Sequence, residues 1–218
     1  MSDDLFSGPL PDNPLPVLEQ WLALAVERLA AHNPTAMTLA TVDERGGPDA
    51  RMVICRGFDP QAGWLVFYTD RTSNKGAQLA KQPRAAAVFF WEPLQRQVRV
   101  VGPITDAPDE QSDAYFAARP LGSRLAAWAS RQSQEIASGE ELAERYSEVC
   151  RRFGSDGDDD APVPRPPDWG GYRIWAERIE FWAGRPNRLH DRACYRRVLE
   201  RRADGFVGEH WRVARLQP

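Results

Sequence analysis

The sequence predicts a mainly β, antiparallel fold with peripheral helices. From Ala36 to Ile104, β-prone runs follow one another across short turns, with one short helix after Ser73 as the interruption. Other helical periodicity is confined to residues 13–29 and a block near 108–153, after which β-prone runs resume. Strands joined by short turns form an antiparallel sheet, and curling that sheet into a barrel removes its exposed edges.

Residues 1–12 are acidic and proline-rich and read as a flexible arm; 13–218 read as a single domain with the helical block as an insertion. Asn13 suits an N-cap with Pro14 at the first helical position, and Leu18, Trp21, Leu22, Ala25, Val26 and Leu29 recur at three and four, a core-facing stripe. Ala36 to Val42 and Asp49 to Arg56 flank the turn Asp43–Pro48 and read as a hairpin. Trp64 to Thr69 is a third strand, and Ser73 caps a helix that closes before Pro83. Arg84 to Trp91 and Arg96 to Ile104 are further strands. In the helical block, Pro108 opens one segment, Leu121-Gly122 separates it from the next, and Gly139 interrupts before the last. Gly154 to Asp160 reads as a mobile acidic loop, and the closing strands are expected at about 171–182, 193–199 and 209–215.

The 218 residues suffice for one good core. A net charge of −3 gives no general bias towards nucleic acid, and no apolar run approaches the roughly 18 residues of a membrane helix. Cys55, Cys150 and Cys194 are far apart and form no C-x-x-C, which argues against a zinc site and for a reducing, cytoplasmic setting. The N-terminus has neither the basic nor the apolar segment of a secretory signal.

The densest chemistry lies between Trp169 and Arg192. An alternating strand delivers Trp182, the chain breaks at Gly184 and Pro186, and Arg188-Leu189-His190-Asp191-Arg192 follows. Strand alternation sends Arg188, His190 and Arg192 to one face, which suits an anionic planar ligand; a solvated hairpin end fits the same pattern. No G-x-S-x-G, H-E-x-x-H, P-loop or G-x-G-x-x-G after a strand is present, so an enzyme of this sequence needs a cofactor for its hard step. Arg51 and Arg56 bracket one strand, and Ser73 and Lys75 sit at a helix N-terminus, a ready phosphate site. Gln97 and Gln132-Ser133 offer amides that match a ring edge carrying carbonyl and N–H groups.

ATVDERGGPDARMV, VFYT, RQV, YFAARP with Ser123 following, WASRQS, IEFW and RLHDR together resemble the pyridoxamine 5′-phosphate oxidase family, in its order and spacing, over roughly residues 35–218. The resemblance implies an FMN-binding split β-barrel of antiparallel, Greek-key type and a homodimer with two FMN sites at its interface. It also implies oxidation of pyridoxamine or pyridoxine 5′-phosphate to pyridoxal 5′-phosphate, with O2 reduced to hydrogen peroxide. Carried over by position, the FMN contacts are Arg51, Met52, Val53, Ile54, Cys55, Arg56, Tyr68, Thr69, Lys75, Gln97, Gln132, Ser133, Trp182 and Arg192. Arg56, Tyr115, Arg119 and Ser123 then hold the substrate phosphate, and Arg188 and His190 lie by the substrate ring as the catalytic pair. No metal, nucleic acid or membrane enters this reading.

Three departures bear on substrate affinity and on closure over the site. Arg56 stands where the family usually has Lys, Asn74 where it commonly has a basic residue, and residues 1–12 hold no match to the N-terminal segment that closes over substrate in some members. A related oxidase of the phenazine-biosynthesis type, and a non-catalytic flavin- or haem-binding split barrel, are the competing readings. The first need not bind a phosphorylated substrate, and the second needs neither RLHDR nor the Tyr115, Arg119 and Ser123 set.

Overall fold

The computed structural model describes residues 5, 6, 8–29, 33–154 and 162–218. Its strands are β1 (Ala36–Val42), β2 (Pro48–Ile54), β3 (Gly57–Asp59), β4 (Trp64–Asp70), β5 (Arg84–Trp91), β6 (Arg96–Asp106), β7 (Trp169–Trp175), β8 (Arg178–Ala183), β9 (Asp191–Arg196), β10 (Leu199–Arg202), β11 (Gly205–Gly208) and β12 (Arg212–Leu216). The helices are α1 (Leu15–Arg28), α2 (Asn74–Lys81), α3 (Asp109–Ala117), α4 (Leu121–Ala129) and α5 (Gly139–Phe153). Two compact units emerge. One comprises Met1–Phe67, Gln82–Thr105 and Arg173–Pro218; the other comprises Tyr68–Lys81 and Asp106–Tyr172.

The first unit is built on an antiparallel sheet of order β12-β9-β8-β6-β5-β1-β2. Its core follows from alternation: Met37 and Leu39, Ala87 and Phe89, Val98 and Val100, Ile179 and Phe181, and Ala193 and Tyr195 are all buried. Helix α1 covers this face, and Trp21 meets Phe181 edge-on at 5.1 Å. Burying each such aromatic or branched side chain contributes about 1.5–3 kcal/mol. The alternate positions face outwards, where Met52 and Phe90 stay 63% and 56% exposed. With Ala36, Thr38 and Val88 they line a groove of about 510 Å³.

The second unit contains α2 and packs α3 to α5 around a small core of Phe116, Leu125, Val163 and Trp169. Arg165 ties it together, donating to Asp113 at 2.6 Å, to Asp109 at 3.0 Å and to the Trp169 carbonyl at 2.5 Å. No helix of the described residues is long and apolar enough to cross a membrane.

Several boundaries differ from expectation, each for a local reason. Helix α1 starts at Leu15 rather than Pro14, and the Asn13 side chain accepts the Leu15 N–H at 3.1 Å. Leu121-Gly122 does not separate helices: Pro120 is the N-cap and Leu121 opens α4. Gly139 does not interrupt a helix either, since it begins α5 behind Ser138, whose hydroxyl accepts the Glu141 N–H at 3.2 Å. The strand expected over 171–182 is two strands. At Ala176-Glu177 the backbone bonds turn to three other segments: Ala176 N–H to Gly63, Glu177 N–H to Val101, and Arg197 N–H to the Glu177 carbonyl. Gly102 permits that crossing, because a Cβ there would collide with the Trp175 carbonyl oxygen. The hairpin β10–β11 lies between the last two expected strands. The expected arm lies outside the described residues at 1–4 and 7, and the acidic loop from 155 to 161.

Candidate functional site

In the second unit, β4 ends at a tight turn that feeds α2, and the chain builds a cation site there. Thr69, Ser73 and Lys75 are all buried. The Lys75 ammonium donates to Gln132 Oε1 at 2.6 Å and to the hydroxyls of Thr69 and Ser73 at 3.2 Å each. Thr69 also donates to Gln132 Oε1, at 2.9 Å, and Ser73 donates to the Asp70 carbonyl at 2.6 Å. Ser73 thereby fixes the turn while its own oxygen faces the ammonium. Gln132 arrives on the segment after α4, where Ser133 adopts a left-handed φ of 72°. A buried ammonium beside a helix N-terminus is suited to a phosphate group, which would take over N–H groups that Lys75 now gives to Gln132, Thr69 and Ser73.

Beside it in the same unit, Tyr68, Tyr115 and Trp169 lie nearly parallel. Ring centroids are 4.1 Å apart for Tyr68–Tyr115 and 5.5 Å for Tyr68–Trp169. Arg119 lies over Trp169 at 4.9 Å and over Phe116 at 5.4 Å. Tyr115 lies in the last turn of α3 and Arg119 two residues beyond its end, its N–H bonded to the Phe116 carbonyl at 3.1 Å, and Ser123 sits in the first turn of α4, its N–H bonded to the Pro120 carbonyl at 2.9 Å. The motif reading named Tyr115, Arg119 and Ser123 but gave Trp169 no part in their arrangement. Its ring, stacked with both tyrosines and under Arg119, joins Tyr115 and Arg119.

In the first unit, register lines up a second group. Phe90 on β5 faces Gln97 on β6, Gln97 faces Trp182 on β8, and Trp182 faces Arg192 on β9. Phe90 and Trp182 meet edge-on at 6.5 Å. The Arg192 guanidinium is held by Glu180 and by the Gln217 carbonyl. Phe90 and Glu180 were missed at the sequence level. The available signal was the charged residue in Ile179-Glu180-Phe181-Trp182, which alternation puts on the face of Trp182.

The expectation that Arg188, His190 and Arg192 share a strand face does not hold. Pro186–Arg188 is a 3₁₀ turn, Asn187 and Arg188 have φ of 58° and 62°, and β9 begins only at Asp191. Proline starts the turn and two consecutive left-handed residues reverse the chain, so alternation has no extended backbone on which to act. Two consecutive left-handed non-glycine residues cost on the order of 1–3 kcal/mol each. The turn is clamped by Arg185, which donates to Asp191 at 2.6 Å and, through its backbone N–H, to His190 Nδ1 at 3.1 Å. His190 packs on Trp182 with centroids 4.6 Å apart, and Arg188 is exposed.

The residues from Arg51 to Arg56 divide between two faces. Arg51 pairs with Asp49 at 2.5 Å and donates to Thr41 Oγ1 at 2.5 Å and to the Leu39 carbonyl at 3.2 Å, whereas Met52 lies on the outer, exposed side. Val53 and Ile54 close β2 and are half-buried. Cys55 is buried, and burial pushes its thiol up to about 11. Arg56 is exposed, with its N–H on the Val66 carbonyl at 2.8 Å. Among the described residues no three His, Cys, Asp or Glu side chains are grouped to hold a metal ion.

A family model described as pyridoxamine 5′-phosphate oxidase matches residues 25–149, more than half of the chain. The chain belongs to the pyridoxamine 5′-phosphate oxidase family. A second family model, described as the pyridoxine 5′-phosphate oxidase C-terminal dimerisation region, matches residues 169–218. Similar relatives bear the name pyridoxine/pyridoxamine 5′-phosphate oxidase. That of Paraburkholderia phytofirmans is 48% identical, the match covering 94% of this chain and 89% of the relative. That of Rubrobacter xylanophilus is 47% identical over 97% and 89%. Among solved structures, PhzG from Burkholderia lata in complex with tetrahydrophenazine-1-carboxylic acid superposes with a TM-score of 0.79 at 29% identity, covering 95% of this chain and 94% of that one. A pyridoxamine 5′-phosphate oxidase-related, FMN-binding protein from Nostoc punctiforme shares the fold, with a TM-score of 0.67 at 18% identity over 93% and 96%. The expected split-barrel fold and the assignment to oxidoreductases both stand.

Proposed function

We propose that this chain is an FMN-dependent oxidase converting pyridoxamine or pyridoxine 5′-phosphate to pyridoxal 5′-phosphate, with oxygen reduced to hydrogen peroxide. The observation that carries the reading is the Lys75 cradle, whose buried ammonium beside a helix N-terminus suits the single phosphate of FMN. No dinucleotide fingerprint accompanies it, which favours FMN over FAD. When bound, the flavin supplies the hydride acceptor and the reaction with oxygen.

The protein's part is to bind and orient. Lys75, Thr69, Gln132 and Ser133 hold the FMN phosphate side, with Tyr68 and the residues Arg51 to Arg56. Gln97, Trp182 and Arg192 address the ring. Arg56, Tyr115, Arg119 and Ser123 hold the substrate phosphate, for which two guanidiniums and two hydroxyls are apt donors. Arg188 and His190 lie over the substrate ring. Because His190 Nδ1 accepts the Arg185 N–H, its neutral ring carries the proton on Nε2, the nitrogen left to exchange a proton with substrate. The functional unit is a homodimer, supported by the dimerisation-region match and by the outward apolar groove at Met52, Val88 and Phe90.

The likeness to PhzG favours a second reading, an oxidase of a phenazine-type substrate without phosphate. The higher identity of the vitamin B6 oxidases and the Tyr115, Arg119 and Ser123 cluster weigh against it. The deciding experiment is peroxide release from the purified yellow protein on adding pyridoxamine 5′-phosphate, with a reduced phenazine carboxylate as the parallel substrate. Turnover of the phenazine alone would transfer the assignment to the second reading.

A further inference from the structure

Glu180 is 7% exposed, although alternation puts it on the outer face of β8 with Trp182. It stands opposite Arg99 on β6 and Cys194 on β9, one row from the Gln97–Trp182–Arg192 row. Its Oε1 accepts from Arg192 twice, from Nη2 at 2.7 Å and Nε at 3.1 Å, while Oε2 faces Arg99 Nη1 at 3.4 Å. The third hold on Arg192 is the Gln217 carbonyl, which accepts from Nη1 at 2.9 Å.

An arginine side chain has five N–H donors and many rotamers. Three of those donors are committed here, which fixes the plane of the guanidinium and leaves one N–H on each terminal nitrogen for a ligand. Arg99, Glu180 and Arg192 together carry one net positive charge beside Trp182, where two unneutralised guanidiniums would repel each other. We propose that Glu180 is a positioning residue for the flavin site: its carboxylate holds the Arg192 guanidinium in the one orientation that presents its remaining N–H groups to the flavin ring. This rests on the reading of Arg192 as a flavin contact. Without the carboxylate, Arg192 must be ordered each time the ligand binds, and the affinity falls.

The test is FMN binding to the apoprotein, followed by quenching of flavin fluorescence, for wild type, Glu180→Gln, Arg192→Ala and the double variant, with folding checked by circular dichroism and melting temperature. Expected are a loss of about 10-fold for Glu180→Gln, a larger loss for Arg192→Ala, and no further loss in the double variant, since Glu180 acts through Arg192. Wild-type affinity in Glu180→Gln, or an undiminished effect of that substitution in the Arg192→Ala background, would overturn the proposal. If Glu180→Gln does not fold, Glu180→Asp keeps the charge but withdraws it by one methylene, and the same loss is expected. A wild-type protein that binds no FMN refutes the functional reading itself; wild-type affinity in Arg192→Ala refutes the flavin contact, and the positioning role with it.

Discussion

The Lys75 ammonium lies 2.6 Å from the side-chain oxygen of Gln132, a residue 57 positions further along the chain. This one bond joins the N-terminus of α2 to the segment that leaves α4, and it puts a buried cation where two hydroxyls can share it. Replacing Lys75 by Met keeps the length and removes the charge. The expected result is a folded protein that has lost about 2–3 kcal/mol of FMN binding, the worth of charge-assisted hydrogen bonds. Fluorescence titration of the apoprotein measures it, and unchanged flavin affinity would mean that the cradle serves only to join the two segments.

Arg56 is expected to bridge the phosphates of cofactor and substrate. Arg56→Ala should weaken both ligands by about 2–4 kcal/mol, while Arg56→Lys, which keeps the cation, should largely retain function. Binding and steady-state constants for the two variants decide this. Unchanged constants in the alanine variant would remove the bridge.

Arg188 is exposed on a turn with two left-handed residues, and the reading gives it to the substrate ring rather than to the FMN phosphate. Arg188→Ala should keep the yellow colour and the dimer, and lower kcat/KM by roughly 10²-fold or more through lost positioning. Flavin content and kinetics on one preparation are the check. A fully flavinated variant with near-normal kcat/KM would leave Arg188 a surface residue of a strained turn.

The protein should be a homodimer that buries the groove at Met52 and Phe90. Met52→Glu should shift light scattering towards the monomer and lower flavin retention, since a carboxylate cannot be buried there unpaired. A monomeric wild type that binds FMN tightly would exclude a shared site.

Cys55 gives an alkaline signature. Burial raises its thiol from 9.0 to about 11, so between those values the unfolded chain releases the proton and the folded chain keeps it. The contribution to stability is complete below pH 9 and is lost as pH rises towards 11, on the order of 2 kcal/mol in all. Denaturant titrations from pH 8 to 11 should show a steeper fall for wild type than for Cys55→Ala. Parallel curves would show that the thiol is not what titrates.

Most strands were legible because short turns bound runs of β-prone or apolar residues, as in Ala36–Val42 and Arg84–Trp91, whose alternate burial is then seen in the structure. The place of Lys75 at a helix start was legible for the same kind of reason, from the Ser73 cap that precedes it. Illegible were features set by distant partners. The break at Ala176-Glu177 depends on Gly63, Val101 and Arg197, and the turn at Asn187-Arg188 on a left-handed conformation that asparagine tolerates but arginine rarely adopts.

The sequence alone therefore determined the mainly β, antiparallel fold class and the approximate place of most strands and helices. Only the tertiary structure decided that Gln97, Trp182 and Arg192 form one row, that Lys75 meets Gln132, and that a buried Glu180 governs Arg192. Periodicity is a property of neighbouring residues and can be read along the chain. Register between strands is fixed by hydrogen bonds and packing summed over the whole sheet, and no local pattern encodes it.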